Sequence, residues 1–567
     1  MPDWIVGTAD ERVIERLSEE LLISRLKARL LYSRGVRTED DASRYLQPSY
    51  DNIYDPFLFD EMEGAVSLIK RTIDDEGRIL VHGDYDADGI CGATIMFEGL
   101  RKLGADVHYF IPDRRKDGYG LARRVMDRGI EVGLKLVISV DCGSSDREVI
   151  GYLRSNGVDV IVTDHHNVDK RIDGAEAFLN PKLPGESYPF KELAGVGVAY
   201  KLLQGLEKGT GKELSLESML DLVALGTLGD YVSLHDENRT LVSLGLDELR
   251  KWKRAGLRAL RDESRLPKDG FSSRQICFTI IPRLNSPGRI GSGKDVLELL
   301  IAGDDKEALV MARDIEEKNR VRREHDSRVT EEACFLAEAV LKRNNPKALV
   351  FSSASWHEGV VGISAARLAE KFNLPSALIA VKDGIGKGSA RSAGKVNVKA
   401  ALEKCSKYLK KYGGHEEAGG FSIAEDDIVE FQCMFEEAVG GLSNGEYESE
   451  GMSIDAEITL EDCNKNLIAF IEQMEPLGPG NREPVFLLKN QYFADGCRIV
   501  GDGHLKMETN DVNGDRLEFI GFSLGKKWDP DTVTGGTFDL LVHIRKNSYM
   551  GSMRRQIQIL DMRRAGD

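Results

Sequence analysis

Apolar positions change their period several times along the chain, and each change marks a different element. Residues 11–50 are charged and amphipathic, with Leu17, Leu21, Leu22, Ile23 and Leu26 at helical spacing, and predict a small helical leader. From about residue 65 short apolar runs alternate with helical patterns. Arg78-Ile79-Leu80-Val81-His82 predicts a strand, followed by a small-residue helix from Gly92, and Leu134–Val140 and Val158–Thr163 predict two further strands. Such alternation argues for an α/β fold with a parallel sheet covered by helices on both faces. Residues 303–343 are polar and charge-laced, with apolar positions at helical spacing (Leu309, Ala312, Ile315, then Val329, Ala333, Leu336, Val340), and predict one long connecting helix ended by Asn344-Asn345-Pro346. A second, smaller α/β unit follows over 347–437, opened by the strand Ala348–Phe351. Gly440 to Gly445 reads as a linker. Beyond it come a helix over 464–473, a Pro/Gly turn and strand-like runs at Pro484–Leu488, Leu517–Phe522, Phe538–Ile544 and Gln556–Asp561, which predict a small β-barrel. The expected division is 1–55, 56–302, 303–345, 346–445 and 446–567.

At 567 residues the chain is too long for one core. No apolar run approaches the roughly 18 residues of a membrane span, and Met1-Pro2-Asp3-Trp4 opens no secretory signal; a cytoplasmic protein is expected. The eight cysteines are scattered singly without a C-x-x-C pair, which excludes a zinc ribbon and predicts reduced, packed thiols. The net charge of −17 argues against a passive nucleic-acid coat. It does not argue against a nuclease, in which acidic residues hold cations while local basic patches steer a polyanion.

The chemistry sits at the carboxyl ends of the predicted strands. The first runs into His82-Gly83-Asp84-Tyr85-Asp86-Ala87-Asp88-Gly89, the second into Asp141-Cys142-Gly143, the third into Asp164-His165-His166. In a parallel sheet these loops meet along one edge, where open α/β sheets bind ligands. Carboxylates packed there repel one another without cations, and their mixture with imidazoles suits Mn²⁺ or a similar ion better than Ca²⁺. An EF-hand reading of Asp84–Gly89 fails because its twelfth position is Ile95 rather than Glu and a strand precedes it. Gly288 to Lys294 nearly spells a P-loop, but Asp295 replaces the metal-binding Ser/Thr and no strand leads into it.

The runs GDYDADG, VDCGS, TDHHN and LGDYVSL (Leu228–Leu234) resemble, in order and spacing, the four motifs of the DHH phosphoesterases. The resemblance implies two Mn²⁺ or Mg²⁺ ions, which would activate water for in-line attack on a phosphodiester. It places Asp88, Asp141, His165 and Asp230 on one ion and Asp86 with the bridging Asp141 on the other, with His82 where several relatives have a histidine ligand. Asp84 is expected either behind the ligands, supporting them, or beside the nucleophilic water, and His166 at the phosphate or the leaving group.

Three further segments resemble the RecJ-type members of that superfamily. Ile281 to Ile290 carries Arg283, Asn285 and Arg289 on what reads as a Pro-kinked loop suited to phosphate oxygens. Trp356-His357-Glu358-Gly359, Gly388-Ser389-Ala390-Arg391 and Gly413-Gly414-His415-Glu416-Glu417-Ala418-Gly419-Gly420 resemble a DHHA1 domain. There paired glycines let backbone N–H groups approach a phosphate. In RecJ relatives the residues corresponding to Ser389 and Arg391 help bind a 5′-terminal phosphate. Taken alone, Gly413-Gly414 also reads as a helix C-cap. The barrel resembles the OB-fold of bacterial RecJ; Arg545, Lys546, Tyr549, Arg554 and Arg555 suit a single-strand groove, or else a solvated edge hairpin. On this resemblance 56–302 is a DHH catalytic domain, 346–445 a DHHA1 substrate-binding domain and 446–567 a DNA-binding domain. The expected activity is 5′→3′ hydrolysis of single-stranded DNA to 5′-mononucleotides in repair or recombination, by a monomer, with a RecQ-like helicase and a single-strand-binding protein as partners. A short-oligonucleotide or cyclic-dinucleotide phosphodiesterase and a non-catalytic DNA-binding scaffold are the alternatives.

Overall fold

The computed structural model describes residues 3–442, 451–494, 496–510, 516–549 and 552–566, without the side chains of 510, 516, 547–549 and 552–554. Its first α/β unit rests on five strands: β1 (Arg78–Gly83), β2 (Val107–Phe110), β3 (Leu134–Val140), β4 (Asp159–Thr163) and β5 (Ala177–Leu179). Their order is β2-β1-β3-β4-β5, and every neighbouring pair is parallel. The central strands are near-continuous Val, Ile and Leu because helices bury both faces. The ladder continues one residue beyond each strand. Asp84 N–H donates to the Val140 carbonyl (3.2 Å), Asp141 N–H to Thr163 (2.9 Å) and Asp164 N–H to Leu179 (3.0 Å). Three aspartates therefore leave the sheet at one level, beside the switch point where β2 and β3 flank β1.

Helix α1 (Ala87–Leu103) begins earlier than the Gly92 start expected, because the Asp86 carboxylate accepts the Asp88 and Gly89 N–H groups and caps it. Helices α2 (Gly195–Thr210) and α3 (Leu220–Asp230) pack on it, and α3 delivers Asp230 at its last residue. The segment 281–290, expected as a Pro-kinked loop, is instead the second half of helix α4 (Ser273–Ile290), with Pro282 and Pro287 inside it. A capping box of Ser272 with Gln275 starts this helix, and the buried stripe Ile276, Ile280, Leu284 outweighs the bonds the prolines remove. The long connecting helix, α5, spans Asp305–Leu341.

The second α/β unit has strands β6 (Leu349–Ser353), β7 (Ser376–Lys382), β8 (Ile385–Arg391), β9 (Leu409–Gly414) and β10 (Ala418–Ala424) in the order β9-β10-β8-β7-β6. Only β6 and β7 are parallel. Gly413 and Gly414 end a strand rather than cap a helix. Gly440 and Gly441 belong to the helix Ile428–Leu442 instead of opening a linker, and Ser443 to Gly445 lie outside the described residues.

A seven-stranded sheet forms the C-terminal unit. The leader is three helices, Glu11–Glu20, Arg25–Tyr32 and Glu39–Leu46, with Leu22 exposed in the first turn between them. It shares one core with that sheet: Ile14, Leu17, Leu30 and Leu31 pack with Phe486, Leu488 and Phe538. The strand Trp4–Val6 pairs with Met452–Ile454, and buried Arg34 meets buried Asp455 at 2.7 Å. Arg239 of the catalytic unit donates to the carbonyls of Tyr45, Met474 and Glu475 at 2.9, 3.0 and 2.9 Å, which fixes leader and C-terminal unit to it. Among the described residues no helix is long and apolar enough to cross a membrane.

Candidate active site

Seven carboxylate and imidazole groups converge where the strands end. His165 Nε2 lies 3.2 Å from Asp141, 3.4 Å from Asp230 and 3.8 Å from Asp88. Ligand atoms of Asp88, His165 and Asp230 fall within 4.8 Å of one another, as do those of Asp84, Asp86 and Asp141, and those of Asp141, His165 and His166. Asp141 adopts a left-handed backbone (φ 61°) that turns its carboxylate into the space between the groups. The Asp88 carboxylate accepts the N–H groups of Gly195 (2.7 Å) and Val196 (2.8 Å), a charge placed on the N-terminus of α2.

These groups fit a pair of divalent cations. Among the described residues Asp84 Oδ1, Asp141 Oδ1, Asp230 Oδ2 and both ring nitrogens of His165 are buried without a hydrogen-bond partner, a pattern that a bound cation would satisfy. Burial, then the mutual repulsion of the carboxylates, pushes Asp84, Asp141 and Asp230 well up and Asp88 up to about 7. Burial and the neighbouring positive His166 push His165 down to about 3, so its imidazole is neutral, the form that can bind a cation. His166 differs. Burial pulls it down, but its 2.8 Å hydrogen bond to Asp164 and that carboxylate's charge carry it up to about 9. Asp164 also accepts the N–H groups of Ser144, His165 and His166, so it orients the imidazolium while standing outside the cation cluster.

His82 stands apart from the position expected of it. Its Nε2 accepts the Ala122 N–H (3.1 Å) and its Nδ1 faces Cys142, because a side chain inside β1 points into the sheet's packing rather than off its end. Asp84, expected behind the ligands or beside the nucleophile, instead joins Asp86 and Asp141 in the second cluster.

A group of arginines lies near the cluster, close enough for Arg114 to act on Asp84 and Asp86 on Arg289. Arg289 is pushed down to about 10 by burial and by the like charges of Arg114 and Arg322, and Arg391 is pushed down by burial and Arg114. Neither Arg114, Arg289 nor Arg391 forms an ion pair among the described residues, so their charge is available to an anion. Ser389 and Arg391 pack against Gly362 at the N-terminus of the helix Val361–Phe372, where a Cβ would lie 3.1 Å from the Ser389 hydroxyl. His415 stands close enough to Arg391 and His166 to feel both charges. His357 accepts the Gly359 N–H and stacks on His325, and Gly359 abuts the Arg289 carbonyl. Gly414 (φ 138°) turns against the Ala418 carbonyl, and Gly413 is open to solvent.

Five expected phosphate or DNA contacts point elsewhere. Arg283 is committed to Glu316 of α5 (2.5 Å), and the Asn285 side-chain oxygen accepts the Ala87 N–H (2.7 Å), because a helix in place of a loop turns both inward. Arg545 is held by Glu483 (2.5 Å) and Gln558, and Lys546 by Glu472 (3.2 Å). Arg555 donates to the Cys463 carbonyl. The side chains of Tyr549 and Arg554 lie outside those described. Residues missed from the sequence are Arg114 and Tyr119, whose hydroxyl meets His166 Nδ1 at 3.1 Å. Both follow β2, a strand too short and too mixed to be predicted, yet the strand-end rule applied there finds them.

Fold and site together define a phosphoesterase architecture of the DHH class, with clustered carboxylates and imidazoles able to hold cations at a parallel-sheet edge. Residues 78–227 match the DHH family N-terminal domain, 345–441 the DHHA1 domain and 454–561 the RecJ OB domain. Among curated proteins the chain is similar to the single-stranded-DNA-specific exonucleases RecJ of Bacillus subtilis (34% identity over 98% of this chain and 70% of that one) and Escherichia coli (34% over 94% and 95%). Among solved structures it is similar to RecJ of Thermus thermophilus in complex with Mn²⁺ (TM-score 0.83, 27% identity, covering 100% of this chain and 80% of that one) and with Mg²⁺ (TM-score 0.78). The chain belongs to the RecJ family.

Proposed function

We propose that this protein hydrolyses single-stranded DNA from its 5′ end and releases 5′-mononucleotides. The observation that carries the reading is five buried side-chain atoms without hydrogen-bond partners among the described residues, beside Arg289 and Arg391, which form no ion pair there. Asp88, Asp141, His165 and Asp230 would hold one cation, and Asp84, Asp86 and Asp141 the other. When bound, two Mn²⁺ or Mg²⁺ ions supply Lewis-acid charge neutralisation and acidify water.

The chain's own residues do the rest. Arg114, Arg289, Arg391 and Ser389 receive the terminal 5′-phosphate, which fixes polarity, with His357, Gly413, Gly414 and His415 lining the same side. His166, its Nδ1 occupied by Asp164, presents Nε2–H to the phosphoryl group, where an imidazolium stabilises developing negative charge. Water attacks phosphorus, the P–O3′ bond breaks, and the 3′-oxygen leaves on the first nucleotide and takes up a proton. The shortened strand then carries a new 5′-phosphate.

A digest of 5′-phosphorylated single- and double-stranded DNA with Mn²⁺ or EDTA tests this. Mononucleotides from the single strand, only with Mn²⁺, are expected; internal cuts, or equal attack on duplex, would refute it. The division at residues 55, 302, 345 and 445 is proposed for limited proteolysis. A cytoplasmic monomer, supplied with single strands by a RecQ-like helicase and a single-strand-binding protein, completes the reading. Light scattering and stimulation assays test those parts.

A further inference from the structure

Ala87 is the residue between Asp86 and Asp88, and those two carboxylates belong to different clusters: Asp88 with His165 and Asp230, Asp86 with Asp84 and Asp141. Whatever orients the peptide between them therefore sets the offset between the two cation positions. The first N–H groups of a helix have no intrahelical acceptor. At α1, Asp86 Oδ1 takes the N–H groups of Asp88 (3.0 Å) and Gly89 (3.1 Å). The Ala87 N–H goes to Asn285 Oδ1, 198 residues away, at 2.7 Å.

That acceptor stands on a braced element. One turn on, Gly288 presses on the same loop so closely that a Cβ there would lie 2.2 Å from the Tyr85 carbonyl. Arg283 ties α4 to Glu316 of the connecting helix, and Ser273 ties its start to Glu475 of the C-terminal unit at 2.6 Å. The side-chain oxygen of Asn285 therefore reaches the loop from a support held at three points. Its side-chain oxygen is spent on the loop between Asp86 and Asp88.

We infer that Asn285 is a positioning residue for the two-cation centre: it fixes the Asp86–Asp88 peptide and thereby sets cation affinity. This rests on the reading of the cluster as a metal centre. Groups that orient metal ligands from outside typically change affinity 10–100-fold when removed, and that range of about 10–100-fold is expected here.

The test is Mn²⁺ binding to the full-length protein, by calorimetry and by loss of the free-Mn²⁺ electron paramagnetic resonance signal, for the wild type, Asn285→Ala and Asn285→Asp. Asn285→Ala is expected to weaken Mn²⁺ by about 10–100-fold, with the thermal midpoint in EDTA little changed and KM for a 5′-phosphorylated oligonucleotide at saturating Mn²⁺ unaltered. Asn285→Asp keeps an oxygen at the Ala87 N–H and is expected to restore binding. Asn285→Leu, close in shape but without an acceptor, serves if the alanine variant does not fold. Mn²⁺ affinity within twofold of wild type in the alanine or leucine variant overturns the inference, as does a raised KM with unchanged affinity, which would return Asn285 to the substrate. A wild-type protein that binds no Mn²⁺ sinks the metal-centre reading itself, and so separates the two failures.

Discussion

Gly195 is an exacting position at the candidate site. Its N–H holds Asp88, and a Cβ built on it would lie 2.6 Å from Asp141 Cβ and 2.7 Å from Asp141 Oδ1. Ordinary contact begins at 3.4 Å, so Gly195→Ala must move Asp141 or α2 by about 0.8 Å. A misplacement near 1 Å in a reacting constellation costs roughly 10²-fold in rate, and Asp141 is the carboxylate proposed to serve both cations. Stability should change far less. Overpacking costs about 1–3 kcal/mol, and replacing glycine at an ordinary φ returns about 0.4–1 kcal/mol. The net is then near 1–2 kcal/mol, or about 2–8 °C in midpoint at roughly 2–4 °C per kcal/mol. Single-turnover hydrolysis of a labelled single strand at saturating Mn²⁺, beside a thermal melt, measures both. Gly197→Ala is the control, since its Cβ would meet only the end of the Leu193 side chain at 3.2 Å. If Gly195→Ala keeps a third or more of the wild-type rate, Asp141 is not held where the chemistry needs it.

Asp88→Ala and His165→Ala should each abolish hydrolysis while single-strand binding persists, and EDTA should do the same to the wild type, reversed by Mn²⁺; full activity in both variants would refute the ligand assignment. Arg391→Ala should raise KM for 5′-phosphorylated ends about 10–100-fold, as expected for losing ~1.5–3 kcal/mol of charge-assisted bonding, while 5′-hydroxyl ends are unaffected. Asp455→Asn leaves buried Arg34 unpaired and should cost about 3–5 kcal/mol in urea unfolding. Burial pulls the Asp455 pKa up, but Arg34 outweighs it and holds the pKa below its ordinary value. The wild type therefore has this contribution above the unfolded carboxylate's pKa near ~3.9 and loses it as pH falls through the lower folded value. The variant's stability should fall less steeply below about pH 4.

The strand-end aspartates were legible because three of the catalytic strands are plain apolar runs, and a parallel sheet must bring their ends together. Asp86, Asp88, Asp141 and His165 follow from that geometry, whereas Asp230, the last residue of α3, was found only through the resemblance of LGDYVSL to a family motif. His82 was misplaced by one residue's worth of strand: inside β1 its ring packs against Ala122 and Cys142, and a linear motif does not reveal where a strand stops. Residues 281–290 were misread because two prolines are local signals, whereas the stripe that keeps the segment helical is buried by α3 and α5. Arg545 looked free in sequence since its partner, Glu483, lies 62 residues away. Nothing local marks that the leader shares a core with the C-terminal sheet; that is decided by contacts more than 400 residues apart.

Helix α4 presents Asn285 to the metal loop and Arg289 to the cationic pocket, four residues and therefore ~6 Å of helix apart. On the proposed reading a single rod spans the distance from the anchored end of a strand to the bond that is cut. On that reading it works as a gauge block, setting a bite of one nucleotide between the bound phosphate and the cation cluster. Such a gauge cannot be stretched to a two-nucleotide bite by inserting a residue between 285 and 289, because each added residue also turns the helix by ~100° and swings Arg289 away from its pocket.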